Sequence, residues 1–149
     1  MRIMTKLILL VFLLSAISMG GGESKVENEY VKVNFNLSQR EFKPGSTGRL
    51  SISFKPKSGY HIVLTPPLEV RFDSGTGVVA SGKPDILQSG KKDYLDPSKP
   101  IKQAFTLASK LKTGPATVKG TLIYFYCSDV EGWCSKFKQP FELSVKLVK

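Results

Sequence analysis

The two cysteines of this 149-residue chain, Cys127 and Cys134, are its most informative residues. Six residues separate them, which is too many for a Cys-x-x-Cys motif but suits two thiols that face each other across the mouth of a β-hairpin. Opposed residues on antiparallel strands have Cα atoms about 4.5 to 5.5 Å apart, which is close enough for a disulfide. Such a pair could stabilise the fold or exchange electrons with other thiols, and spacing alone leaves both alternatives open.

A disulfide between Cys127 and Cys134 would stabilise the fold only modestly. The chain-entropy model gives about 2.5 kcal/mol for so small a loop, and the hairpin would constrain the same residues anyway. In immunoglobulin domains, by contrast, the structural bridge joins strands of two different sheets. A local bridge at the rim of a hairpin adds less to the fold and is easier for a partner thiol to reach.

Other kinds of catalytic site lack the residues that they need. The chain has one histidine, His61, and no Gly-x-Ser-x-Gly motif, which argues against a Ser-His-Asp hydrolase. A zinc site would have to combine Cys127, Cys134 and His61 with a carboxylate, without ligand-type spacing beyond the cysteines. We therefore expect neither a metal nor another cofactor.

The charge of the chain is strongly positive, with a formal net charge of +10. Its lysines are scattered singly or in pairs, and no Lys/Arg run is interleaved with exposed aromatic residues as in a nucleic-acid groove. We therefore expect a solvated basic surface and no nucleic-acid partner. An acidic partner could still gain association rate from this charge.

The N-terminus has the order of regions of a secretory signal peptide. Arg2 and Lys6 precede an apolar run at residues 7–17, and small residues follow at 18–22. The run is too short to span a bilayer of about 30 Å. We expect residues 1–22 to be removed, which leaves a charge of +8 and one domain at residues 23–149, exported to an oxidising compartment and without a membrane span. Disulfides persist in such a compartment.

From residue 29 onward, apolar residues alternate with polar ones and no helical period appears. Val31, Val33 and Phe35 would share one face of a half-buried strand, with polar residues on the other face. Similar patterns predict strands at residues 31–37, 50–54, 60–64, 68–72, 78–80, 101–107, 116–127 and 141–147, with an irregular stretch at 81–99. Seven to nine short strands predict an all-β fold, and an immunoglobulin-like antiparallel β-sandwich is the expected version.

Three stretches of the chain carry a resemblance to a known family. They are Ser58-Gly-Tyr-His-Ile62, Gly120-Thr-Leu-Ile-Tyr124 leading into Cys127, and Cys127-Ser-Asp-Val-Glu-Gly-Trp-Cys134. Together they resemble the N-terminal periplasmic domain of the DsbD family of thiol:disulfide interchange proteins, whose Gly-Tyr segment is similar to the first stretch and whose Cys-Ala-Asp-x-Gly-x-Cys is similar to the third. The resemblance covers most of residues 31–148. It implies an immunoglobulin-like domain that shuttles reducing equivalents from a membrane partner to periplasmic thiol oxidoreductases.

The resemblance also implies roles for individual residues. Cys127 and Cys134 would form the redox pair, with Cys134 as the attacking thiol and Cys127 as the resolving one. The family covers its pair with a cap loop that bears an aromatic side chain, and residues 91–96 are the matching stretch, with Tyr94 as the cap candidate. Such a lid would explain the irregular segment, because long loops in compact domains are often lids. Asp93 could act near the thiols, whereas Tyr94 could also be an ordinary half-buried loop residue.

Three further residues would neighbour the pair. Tyr60 and His61 stand where the family has active-site aromatics, and a cationic His61 near the sulfurs would favour the thiolate. Trp133, beside Cys134, could shield the disulfide or meet a partner. The alternatives are a plain surface histidine on a strand and a rim tryptophan that packs on the sheet.

The site also departs from the family pattern. The segment between the cysteines is one residue longer, and Ser135-Lys-Phe replaces the family's Tyr-Pro-Pro. The membrane and thioredoxin-like domains of the full-length family members are missing, so electrons would come from a separate membrane electron-transfer protein and pass to thioredoxin-like periplasmic proteins. Electron transport and cytochrome c biogenesis are the processes that this resemblance implies. The main alternative is a non-catalytic β-sandwich binding domain with a structural hairpin disulfide.

Overall fold

The computed structural model describes residues 26–90 and 93–149, in which nearly all regular structure is β-strand. The predicted signal peptide, residues 1–22, lies outside the described residues. The strands are β1 (Val31–Leu37), β2 (Glu41–Phe42), β3 (Thr47–Pro56), β4 (Tyr60–Val63), β5 (Glu69–Phe72), β6 (Val78–Ala80), β7 (Ile101–Leu107), β8 (Gly114–Ser128) and β9 (Cys134–Leu147). Within these two ranges, no helix is long and apolar enough to cross a membrane.

The strands form two sheets, which confirms the predicted all-β sandwich. The first sheet has the order β1-β3-β7-β6, and the second has the order β2-β9-β8-β4, with β5 also paired to β8. The pairings between these strands are antiparallel, except that β2 runs parallel to the end of β9. This parallel pair was not predicted, because two residues are too few to show a period. The position of β2 is instead set by the packing of Phe42, whose ring is buried against that of Phe105 with ring centroids 5.7 Å apart.

The core lies between the two sheets and is built from side chains that alternate along each strand. On β3, Leu50, Ile52 and Phe54 are at most 2% exposed, whereas the residues between them are accessible. Tyr124 of β8 meets Phe54 edge to face, with ring centroids 5.2 Å apart. Burial of such apolar side chains is the main favourable term in folding. The alternation that predicted the strands therefore marks the faces that meet in the core.

The segment before β1 is tied to the core through a polar contact. The side-chain amide of Asn28 donates a hydrogen bond to the hydroxyl of Tyr124 at 3.0 Å, and the backbone N–H of Tyr30 donates to the Asn28 side-chain oxygen at 2.9 Å. Burial raises the pKa of the Tyr124 phenol well above its ordinary value, so this phenol stays neutral. These bonds satisfy a buried hydroxyl and place Tyr30 at the end of the sandwich that carries the cysteines.

The hairpin of β8 and β9 is the longest element pair of the fold, and it positions the cysteines. Its register runs from Gly114 opposite Leu147 to Cys127 opposite Cys134. Strand β9 begins at Cys134, earlier than the predicted start at residue 141. Residues 135–140 include two lysines, a glutamine and a proline, so their sequence alone indicates a loop. The pairing with β8 organises them as strand.

Candidate functional site

Cys127 and Cys134 form a disulfide across the mouth of the β8–β9 hairpin. Their Cα atoms lie 4.0 Å apart, and the two residues are direct partners in the strand register. Cys127 is only 5% exposed, whereas Cys134 is exposed. The disulfide therefore has one sulfur-bearing residue that a partner can approach and one that the protein covers.

The loop between the cysteines is held by hydrogen bonds that do not involve the disulfide. The backbone N–H of Ser128 donates to the carbonyl of Trp133 at 2.9 Å, and that of Gly132 donates to the carbonyl of Ser128 at 3.0 Å. Gly132 has φ of 71°, a left-handed conformation that glycine adopts without a Cβ penalty. A bond from the N–H of Asp129 to the carbonyl of Gly59, at 2.8 Å, ties the loop to the turn before β4. The loop geometry thus has support besides the S–S bond.

His61 lies beside the cysteine pair. It is the direct register partner of Cys127 on the neighbouring strand β4. The core-facing residues Ile62 and Tyr126 follow and precede these two positions, so His61, Cys127 and Cys134 all stand on the opposite, outer face of the second sheet. Opposed side chains on antiparallel strands have Cβ atoms about 4.5 to 5.5 Å apart. The three residues therefore form a row across three strands.

The imidazole of His61 is held by a carboxylate from the loop between the cysteines. Its Nδ1 lies 2.5 Å from Oδ1 of Asp129. The His61 side chain is 17% exposed and that of Asp129 is 52% exposed, so the pair is half-buried with an open side. A carboxylate only accepts hydrogen bonds, so Nδ1 carries the proton and Nε2 is the basic nitrogen of the neutral ring.

Tyr94 covers His61. Residues 93–96, here called the strap, run along the free edge of β4, where the N–H of Leu64 donates to the carbonyl of Asp93 at 2.7 Å and that of Leu95 donates to the carbonyl of Ile62 at 3.0 Å. The ring of Tyr94 stacks on the imidazole of His61, with centroids 3.8 Å apart and planes 18° apart. The strap therefore lies over the histidine beside the disulfide.

The strap ends in a local hydrogen-bonded turn. Asp96 accepts bonds from the N–H and the hydroxyl of Ser98, at 3.0 and 2.6 Å. These bonds lower the pKa of the Asp96 carboxyl below its usual range, because they favour the ionised form. The side chain of Asp93 lies 3.5 Å from the hydroxyl of Thr65. The predicted Asp93 is thus placed on the strap, with its described polar contact to Thr65 rather than to a cysteine.

An aromatic cluster lies on the inner face of the same rim. Trp133 packs against Tyr126 at 5.7 Å, Tyr30 at 5.8 Å and Tyr60 at 5.9 Å between ring centroids, and Tyr30 stacks on Tyr60 at 4.5 Å. The indole N–H of Trp133 donates to the carboxylate of Glu131 in the loop. Loss of solvation raises the pKa of the Tyr60 phenol, and the neighbouring Tyr30 and Glu131 add to this shift. The cluster supports the rim from behind the disulfide.

The outer face also carries a cation near the exposed cysteine. Lys136 follows Cys134 by two residues on β9, so both side chains point to the outer face. The Lys136 ammonium lies 5.9 Å from the ring centroid of Phe125, the register partner of Lys136 on β8. A nearby positive charge favours the thiolate form of a cysteine.

The structure separates the predicted neighbours of the cysteines into two groups. His61 stands beside Cys127 and Tyr94 stacks on His61, whereas Tyr60 and Trp133 lie on the other face of the sheet. Asp129 had no predicted role, although it belongs to the acidic segment that carried the family resemblance. Its hydrogen-bond partner is His61, which the pairing of β4 with β8 brings close to the loop between the cysteines. Within residues 26–90 and 93–149, no group of three His, Cys, Asp or Glu side chains is arranged to hold a metal ion.

Comparison with known proteins adds no relative to this picture. No family model, no curated protein and no solved structure matches the chain. The proposal for its function therefore rests on the geometry around Cys127 and Cys134, together with the resemblance of the three stretches described above.

Proposed function

We propose that the protein is a thiol–disulfide exchange module in which Cys134 attacks and Cys127 resolves. The observation that carries the proposal is the unequal exposure of a disulfide whose two residues the hairpin already holds opposite each other. A disulfide stabilises mainly by constraining the unfolded chain, and a loop closed over a sequence separation of 7 constrains that chain only modestly. An exposed cysteine beside a covered one is the arrangement that two-step exchange requires, because only the attacking thiol must reach a partner.

The exchange proceeds in two balanced steps from the reduced dithiol. The Cys134 thiolate attacks one sulfur of a partner disulfide, forms a mixed disulfide and releases the partner's first thiolate. The Cys127 thiol then loses its proton and attacks the Cys134 sulfur, which forms the Cys127–Cys134 disulfide and releases the partner's second thiolate. Two electrons pass from the pair to the partner, and the reverse sequence with a reduced donor restores the dithiol.

The resemblance to the DsbD family supplies the proposed partners and setting. The acceptors are thioredoxin-like periplasmic proteins, and the donor is a separate membrane electron-transfer protein. The proposed domain is immunoglobulin-like, exported by its signal peptide and located where disulfides persist. Tyr94 supports this proposal as the cap residue, because its ring lies over His61 at the covered end of the row.

A reduction and reoxidation experiment tests the proposal. We expect dithiothreitol to reduce the disulfide of the folded protein, and oxidised glutathione then to restore it with release of two reduced glutathione molecules per chain. Alkylation and mass spectrometry count the thiols, while near-ultraviolet circular dichroism confirms that the fold persists throughout. A disulfide that dithiothreitol reduces only when the protein unfolds would identify a structural bridge and contradict the proposal.

A further inference from the structure

We infer that His61 is the general base for Cys127 in the resolving step, and that Asp129 is the positioning residue that orients His61. This inference rests on the proposed function. It is carried by one juxtaposition: the imidazole stands opposite the covered cysteine, its Nδ1 is bonded to Asp129, and its ring is stacked under Tyr94. Asp129 lies in the loop that joins the two cysteines, so the loop that carries the disulfide also orients the base.

The covered cysteine needs a base more than the exposed one does. Only a thiolate attacks a disulfide, and burial in apolar surroundings disfavours the charged form of a thiol. Cys127 is 5% exposed, and the ring of Phe125 stands two residues before it on the same face. Water has poor access to this thiol, so a neighbouring side chain must take its proton. His61, the direct register partner of Cys127, is the nearest imidazole because it is the one histidine of the chain.

The contacts of His61 prepare it for this task. The bond from Nδ1 to Asp129 selects the tautomer in which Nε2 has the lone pair, and it stabilises the imidazolium that forms when Nε2 accepts a proton. The order carboxylate, imidazole, thiol is the arrangement in which a third group orients the base that activates a nucleophile. Tyr94 limits the rotation of the ring by stacking on it at 3.8 Å. The proton of Cys127 thus passes to His61, and the electron pair of the thiolate forms the new S–S bond to Cys134.

Several other ionisable groups share the surroundings of His61. Lys136 on β9 is a cation on the same face, whereas the phenol of Tyr60 lies on the opposite face of β4. The ionisable side chains placed directly against His61 are its register partner Cys127, the stacked Tyr94, and Asp129, which is bonded to Nδ1.

The replacement His61→Gln tests the inference through the resolving step alone. The reduced full chain is mixed with increasing oxidised glutathione, and acid-quenched samples are analysed by mass spectrometry. Capture by Cys134 depends on the glutathione concentration, whereas resolution by Cys127 does not. We expect His61→Gln to slow resolution about tenfold or more at pH 7, since general bases contribute at least that much, and to change capture by less than about twofold.

The pH dependence distinguishes a base from a purely structural residue. A base accepts a proton only when it is neutral, so resolution in the unaltered protein should slow at acidic pH, where an imidazole becomes protonated. His61→Gln should lack this slowing and approach the rate of the unaltered protein only at alkaline pH, where thiols ionise without a neighbouring base. Asp129→Asn should give an intermediate loss, because the amide can bond to the ring but cannot stabilise the imidazolium. Glu142→Gln is the control, because it removes one negative charge, as Asp129→Asn does, from an exposed residue of β9. It should leave both steps unchanged.

The outcomes separate the two proposals. Capture without any resolution defect in His61→Gln and Asp129→Asn would overturn the role of His61 while leaving thiol exchange intact. Failure of the reduced, unaltered protein to form either the glutathione adduct at Cys134 or the internal disulfide would overturn the proposed function, and the role of His61 with it. If His61→Gln does not fold, as judged by circular dichroism, Asp129→Asn provides the test of the role of His61. The Asp129 side chain is 52% exposed, so its replacement leaves the core untouched.

Discussion

Replacing Cys127 with alanine is expected to turn a transient mixed disulfide into a stable one. The remaining thiol, Cys134, is the exposed member of the pair and can attack an added disulfide. Without Cys127 no internal thiol can displace the bound partner, so the adduct accumulates. With oxidised glutathione, mass spectrometry should show one glutathione per chain in Cys127→Ala and none in the unaltered protein once its own disulfide has formed.

The matched variant Cys134→Ala shows whether exposure decides the direction of attack. It keeps the covered thiol, which is 5% exposed in the disulfide-bonded protein, and should react with glutathione disulfide at least about tenfold more slowly, because exchange depends on access and thiolate content. Equal adduct formation in the two single-cysteine variants would contradict the assignment of Cys134 as the attacking thiol. Faster reaction at Cys127 would reverse it.

Replacing Gly120 with alanine is expected to destabilise the fold strongly. Gly120 of β8 lies opposite Phe72 of β5, and a Cβ added there would stand 2.1 Å from the carbonyl oxygen of Arg71 and 2.9 Å from the Cα of Phe72. Both are backbone atoms, so no side-chain rotation relieves the clash and β5 must move away from β8. We expect a loss of about 3 kcal/mol or more in the free energy of unfolding.

Thermal and urea denaturation measure this effect, with Gly75→Ala as the control. Gly75 lies in the short 3₁₀ turn, and a Cβ added there meets no atom within 4 Å. It should change stability by less than about 0.5 kcal/mol, as exposed substitutions usually do. A fully stable Gly120→Ala protein would contradict the close packing of β5 against β8 at this position.

Much of the fold was predictable because each sheet buries one face. Alternation along residues 31–37 and 50–54 marks strands whose apolar side chains enter the core, and the structure places β1 and β3 there. The start of β9 at Cys134 was not predictable in the same way. Residues 135–140 carry too many polar side chains for a clear apolar alternation, and their strand conformation comes from pairing with β8.

The candidate site was predictable only in part, because strand register is a tertiary property. The spacing of Cys127 and Cys134 predicted two thiols opposed at a hairpin, and the structure joins them there. Nothing in the order of residues, however, indicates that His61 pairs with Cys127 or that Asp129 reaches His61. The separation of the aromatic residues follows from elementary strand geometry. Successive side chains point to opposite faces, so Tyr60 and Trp133 cannot lie on the outer face with their chain neighbours His61 and Cys134.

The reduction potential of the Cys127–Cys134 pair is the most direct test of its proposed role in exchange. Structural disulfides have potentials below about −300 mV, whereas thiol oxidoreductases span roughly −270 to −120 mV. The folded protein would be equilibrated in dithiothreitol and glutathione buffers of graded potential, and its thiols would be trapped by alkylation and counted by mass spectrometry. If the protein is an exchange module, the midpoint reduction potential of the pair should lie above about −300 mV, within the range of thiol oxidoreductases. A midpoint well below that value would show that Cys127 and Cys134 form a structural bridge and would contradict the proposed function.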